Sequence, residues 1–94
     1  MKAAKSGVII NTSSNFAIAG CAGRAAYSAA KAALIAFSKS LALEMARYGV
    51  RVNTVAPGLT ARARVLAVHT DPEWAKLSAG MPLGRAGEPV DIAE

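Results

Sequence analysis

The chain has 94 residues, 53% of them apolar, with 11 lysines and arginines against 6 acidic residues and a formal charge of +5. That length suits one small domain and is short for a layered α/β fold, because small chains bury a smaller fraction of their surface. One cysteine, Cys21, excludes an internal disulfide framework and a cysteine-cluster metal site, and no apolar run is long enough to cross a bilayer. The basic residues are dispersed along the chain and never form the run of a nucleic-acid-binding arm. Residues 1–15 lack the apolar core of a secretory signal. The expectation is a soluble, cytoplasmic protein with neither a nucleic acid nor a membrane as partner.

The first predicted element is a strand at about 7–13, where Val8, Ile9 and Ile10 follow a glycine. Three consecutive β-branched residues without alternation suggest a strand covered on both faces, as in α/β proteins. In that architecture active groups gather beyond the carboxyl ends of the strands, and Ser13 and Ser14 lie at that end. Residues 15–26 read as a loop, with Gly20 and Gly23 giving it freedom. A long helix follows at about 25–48, with Ala29, Ala32, Ala33, Ala36, Phe37 and Leu41 recurring at helical spacing. Its alanines allow another backbone to come close, so a helix interface between subunits is one reading and ordinary core is the other.

Gly49 ends that helix, and a second strand is predicted at about 50–56, with Val50, Val52 and Thr54 alternating against Arg51, Asn53 and Val55. Strand, helix and strand with tight joints predict a right-handed parallel crossover, and Pro57-Gly58 punctuates the carboxyl end of the second strand. Residues 59–68 read as a mobile segment or a short helix. Thr70 or Asp71 caps a helix with Pro72 in its first turn, residues 81–87 form a turn-rich connector, and another helix starts at Glu88-Pro89.

Within this frame one pair stands out. Tyr27 and Lys31 are four apart at the head of the long helix, so phenol and ammonium can share a cleft, and a cation one turn away assists proton movement at a phenol oxygen. The plainer reading, a tyrosine covering the core beside a solvated lysine, stays open on spacing alone. What favours a site is convergence: Ser13-Ser14, Pro57-Gly58 and Tyr27 all fall at the same edge of the predicted sheet. A strand-end serine satisfying a nearby amide is the competing account of Ser14. His69 reads as a solvated loop histidine and Cys21 as a small loop residue.

These residues carry a family resemblance over the whole chain. Ile9-Ile10-Asn11-Thr12-Ser13-Ser14, then Tyr27-Ser28-Ala29-Ala30-Lys31 with its tyrosine thirteen residues after Ser14, then Val52-Asn53-Thr54-Val55-Ala56-Pro57-Gly58, and finally Pro82-Leu83-Gly84-Arg85 before Glu88-Pro89 stand in order. Together they resemble the carboxyl-side middle of a short-chain dehydrogenase/reductase, a family of NAD- or NADP-dependent oxidoreductases. The implied fold is α/β: part of a doubly wound, Rossmann-like parallel sheet, a βαβ unit followed by the helices of a substrate loop at about 59–85, all within a single nucleotide-binding domain.

The resemblance implies hydride transfer between a nicotinamide and a carbonyl or alcohol substrate. Tyr27 would be the general acid or base, Ser14 would hydrogen-bond the substrate oxygen, and Lys31 would assist Tyr27 and hold the nicotinamide ribose. Pro57, Gly58 and Thr60 would line the nicotinamide side. It also implies a homo-oligomer built through the long helix. Two departures bear on the cofactor: Arg62 stands where the family commonly has threonine, and no glycine-rich phosphate loop occurs in the sequence. The 94 residues alone are therefore expected to be inactive, the alternative being a noncatalytic remnant or a dimerisation or scaffold fragment.

Overall fold

Two segments rich in β-branched residues, β1 (Gly7–Thr12) and β2 (Val50–Val55), pair in parallel in the computed structural model, which describes residues 1–62, 66 and 69–94. The register runs from Gly7 opposite Val50 to Thr12 opposite Val55. A parallel pair needs a long connection. It is supplied by α1 (Phe16–Ala19), α2 (Ala25–Met45) and a 3-10 turn at Ala46–Tyr48. The fold is thus α/β, a βαβ unit consistent with part of a Rossmann-like sheet. The chain divides into two compact units, residues 1–57 and 58–94.

The helix α2 packs chiefly against β2. Val50 and Val52, 2% and 8% exposed, form the floor of that contact with Met45. Burying a valine of this kind contributes about 1.5–3 kcal/mol. On the helix, burial falls on a stripe of alternating three- and four-residue steps: Ser28, Lys31, Ile35, Ser38, Ala42 and Met45. The apolar recurrence visible in the sequence marks a different face in part, since Phe37 is 56% exposed. A low-contrast, alanine-rich surface leaves the choice of buried stripe to the strands beneath it.

Burial alternates along β1, and Val8 and Ile10 are 45% and 62% exposed, so within these residues one face of the strand is covered. One expectation is corrected here: the segment 15–26 is more than a loop, because α1 forms inside it. Its start is organised by Ser14, whose hydroxyl oxygen accepts the Phe16 N–H at 3.2 Å and whose carbonyl accepts the Ala17 N–H at 3.0 Å. Two otherwise orphaned donors are satisfied in this way.

Gly49 closes the 3-10 turn at φ +68°, and a Cβ placed there would lie 2.7 Å from the Lys5 carbonyl oxygen. Left-handed backbone costs an L-residue about 1–2 kcal/mol before any clash. Gly49→Ala is therefore expected to lower the unfolding free energy by about 2 kcal/mol, read as a lower denaturant midpoint at constant slope.

In the second unit, α3 (Asp71–Ala79) begins at a reciprocal cap: Thr70 Oγ1 accepts the Glu73 N–H, and Glu73 Oε2 accepts the Thr70 N–H at 3.0 Å. Of the two expected caps the structure selects Thr70, with Pro72 in the first turn where its missing N–H costs nothing. Trp74 packs edge-on against His69, ring centroids 6.2 Å apart, which replaces the solvated histidine expected from the sequence. Thr60 and Gly87 form an isolated parallel bridge, with Ala61 N–H donating to Gly87 O at 2.7 Å and Gly87 N–H to Leu59 O at 2.9 Å. The expectation of a mobile segment or short helix over 59–68 lies partly outside the described residues, at 63–65, 67 and 68.

The last helix, α4 (Pro89–Ala93), is started by Asp91, whose Oδ2 accepts the Glu88 N–H at 2.7 Å and Arg85 Nη1 at 2.8 Å. The Arg85 hydrogen bond, then the Glu88 amide, hold the Asp91 carboxyl down to about 2. A depressed folded-state value means that this clasp contributes stability above the ordinary carboxylate range and loses it as pH falls toward 2. An NMR titration of the Asp91 carboxyl carbon is expected to have its midpoint near 2, and Asp91→Asn to remove acid loosening of α4 below about pH 4.

Candidate functional site

Beyond the last paired residues of the sheet the two strands stay joined. Ser13 N–H donates to Val55 O at 2.7 Å and Asn15 N–H to Pro57 O at 2.9 Å. These bonds carry the parallel ladder past the strand ends and bring Ser13, Ser14 and Pro57 to one rim. The amino end of α2 reaches the same rim through Lys31, whose Nζ donates to Thr12 O at 3.1 Å. Its backbone carbonyl accepts the Ser13 hydroxyl at 2.6 Å.

One turn earlier on α2, Tyr27 stands beside this lysine, with Lys31 Nζ 5.9 Å from the centre of its ring. Phe16 of α1 meets the same ring edge-on at a centroid distance of 6.3 Å. Because the Phe16 N–H is also held by Ser14 Oγ, a continuous set of contacts runs from Ser14 through Phe16 to Tyr27 and Lys31. Tyr27 is 41% exposed and Ser14 only 8%. No hydrogen bond of the Tyr27 hydroxyl occurs among the described residues.

The sequence set two readings of Ser14 against each other, and the structure shows the contact that one of them named. The Ser14 oxygen does satisfy a nearby amide, that of Phe16, but through a lone pair. A hydroxyl carries one donor and two acceptor sites, so its hydrogen stays available for another oxygen. Lys31 similarly spends one of three donors on Thr12 O.

The remaining predicted contacts divide between the two units. Pro57 belongs to the first, where its carbonyl accepts from Asn15. Gly58 and Thr60 belong to the second, where Thr60 Oγ1 donates to Gly58 O at 3.2 Å. A Cβ at Gly58 would meet nothing within 4 Å. Two contributors were missed in the sequence, Phe16, which steadies Tyr27, and Thr12, whose carbonyl holds Lys31; Ser13 was placed at this edge, but not its bond to the Lys31 carbonyl. The two-residue spacing of Asn11 and Ser13 was the available signal for that bond. Among the described residues no group of histidine, cysteine and acidic side chains could hold a metal ion, and no helix is long and apolar enough to cross a membrane.

Comparison with known proteins identifies the family. A family model described as enoyl-(acyl carrier protein) reductase matches residues 1–94. The chain is 50% identical over 92 residues to a 3-oxoacyl-[acyl-carrier-protein] reductase, FabG, of Chlamydia pneumoniae, covering 96% of this chain and 36% of that protein. It is 45% identical over 93 residues to a 3alpha-hydroxysteroid dehydrogenase of Mediterraneibacter gnavus, covering 99% and 37%, and 46% identical over 89 residues to an acetoacetyl-CoA reductase of Acinetobacter, covering 95% and 36%. The chain thus spans little more than a third of the length of these curated relatives. With the family model matched from end to end and the tyrosine, lysine and serine gathered at one rim of a parallel sheet, the chain belongs to the short-chain dehydrogenase/reductase family.

Proposed function

We propose that these residues form the proton-transfer and nicotinamide-side part of an NAD(P)-dependent oxidoreductase acting on a carbonyl or alcohol. The observation that carries the reading is the contact set from Ser14 through Phe16 to Tyr27 and Lys31. A bound nicotinamide supplies the hydride in reduction and accepts it in oxidation. In the reducing direction, Ser14 donates its free hydroxyl hydrogen to the substrate carbonyl oxygen and stabilises the charge that develops there. Tyr27 gives its phenolic proton to that oxygen as the carbonyl π bond breaks and the alcohol forms, leaving a phenolate. The Lys31 ammonium stabilises that phenolate, and a proton returned from solvent to the phenolate oxygen restores the neutral phenol for the next cycle. Alcohol oxidation runs through the same residues in reverse.

The residues present fit the nicotinamide end of such a cofactor. Within the first unit, Lys31 keeps two N–H donors for ribose hydroxyls and the Pro57 carbonyl supplies an acceptor; Gly58 and Thr60, in the second unit, are proposed for the nicotinamide side on the family resemblance alone. No glycine-rich loop for the pyrophosphate occurs in these 94 residues, so this part of the site would hold the nicotinamide and its ribose only. The relatives' names span thioester, steroid and CoA-linked substrates, which supports a carbonyl or secondary alcohol as the reacting group. The same reading pairs copies of the polypeptide through the outward face of α2, where Phe37 and Leu43 are 56% and 82% exposed.

The test is turnover of a 3-oxoacyl thioester with reduced NAD or NADP by the natural polypeptide containing these residues, by its Tyr27→Phe variant and by the 94-residue chain alone. Turnover by the wild type, its loss in the variant and none from the short chain are expected. A wild type that binds neither nucleotide favours the scaffold alternative.

A further inference from the structure

Asn11 of β1 and Ser13, one residue past its end, are two residues apart, and each is hydrogen-bonded to α2. Asn11 Nδ2 donates to Ser38 Oγ at 2.8 Å, and Ser13 Oγ donates to Lys31 O at 2.6 Å. Both hydroxyls are deeply buried, Ser13 and Ser38 being 3% exposed each. Lys31 and Ser38 are seven residues apart, two turns and roughly 10 Å along the helix axis. Two attachments on one stripe, so separated, set the rotation of the helix on the strand as well as its axial position. A slip of a single residue would turn the helix by about 100° and advance it about 1.5 Å, carrying Tyr27 and Lys31 away from the rim together.

At the upper attachment the strand end holds one residue twice. Ser13 takes the Lys31 carbonyl, and the neighbouring Thr12 carbonyl takes the Lys31 ammonium. Backbone and side-chain tip are thereby fixed to adjacent residues at one strand end. The α2 backbone does not need the Ser13 bond, since a helical carbonyl already has its own partner four residues on. A buried hydroxyl could be satisfied by many groups, and here it meets the carbonyl of the lysine that flanks Tyr27.

We infer that Ser13 is a positioning residue for Lys31, with the Asn11–Ser38 bond as the remote anchor that prevents rotation of α2. This rests on the functional reading above for its consequence in turnover, but not for its structural content. Holding the ammonium at a fixed height on the rim limits the loss of side-chain freedom when it engages an oxygen ligand, because that freedom is already spent.

The test is competitive acetylation of the natural polypeptide without nucleotide, read by mass spectrometry at Lys31 with Lys39 as internal reference. Loss of one hydrogen bond in a coupled pair corresponds to about a fivefold change, so Ser13→Ala is expected to raise the Lys31 to Lys39 labelling ratio about fivefold while its melting curve stays cooperative. An unchanged ratio in a folded variant overturns the inference. Should Ser13→Ala not fold, Ser13→Gly replaces it, and the wild type still decides the matter: Lys31 labelling as fast as Lys39 overturns the clasp, and slower labelling supports it. Where the wild type turns over substrate, Ser13→Ala is also expected to displace the pH profile of kcat, which loss of stability alone would leave in place. A wild type without turnover defeats the proposed function and leaves the clasp to be decided by labelling.

Discussion

Tyr27→Phe is expected to lower kcat of the natural polypeptide by about a thousandfold, the usual scale for removing a positioned general acid or base. The substitution deletes one oxygen and keeps the ring, so the edge contact with Phe16 and the position over which Lys31 lies are preserved. Because the hydroxyl makes no hydrogen bond among the described residues, nothing in the fold loses a partner. KM, nucleotide affinity and melting temperature should accordingly change little. Equal losses in kcat and kcat/KM would identify an interaction made only in the transition state. A variant retaining more than about a tenth of wild-type kcat would remove Tyr27 from the chemistry.

Lys31→Met should act differently, because this side chain does two things. Its ammonium holds the Thr12 carbonyl at the end of β1 and stands 5.9 Å from the Tyr27 ring centre. Hydrogen bonds of charged groups contribute about 1.5–3 kcal/mol, which at about 1.4 kcal/mol per decade converts to a loss of roughly 10- to 100-fold. That loss is expected in nucleotide affinity and again in kcat, measured respectively by nucleotide titration and by turnover at saturation. Methionine preserves the length of the apolar stem, so lost packing is not the cause. A fall in melting temperature with unchanged affinity and kcat would make Lys31 a structural tie alone.

Much of this site was legible in the chain itself, for reasons that can be named residue by residue. The four-residue spacing of Tyr27 and Lys31 places them one turn apart whenever the segment is helical, and alanine-rich sequence makes it helical. Pro57-Gly58 marks the end of β2 because proline has no N–H to donate to a ladder, although its carbonyl still accepts from Asn15. A helix start at Thr70 or Asp71 was recognisable without coordinates, and the structure selects Thr70, paired with Glu73. The apolar recurrence of α2 was less informative: where most positions are alanine, hydrophobicity contrast is too weak to say which stripe faces the sheet. Phe37 turned outward for that reason, while Ser38, polar and inconspicuous in sequence, is buried against Asn11.

By itself the sequence determined the elements other than α1, their order and the residue types available for proton transfer, since helix and strand periods and turn residues act over a few positions. Only the tertiary structure decided that Ser14 accepts the Phe16 N–H with a lone pair and keeps its hydrogen, that Phe16 rests on Tyr27, and that Ser13 and Thr12 hold both ends of Lys31. Those relations join residues 2 to 19 positions apart through single side-chain rotamers and hydrogen-bond directions. Such choices depend on the register of β1 with β2 and on the rotation of α2 above them, which no local pattern encodes.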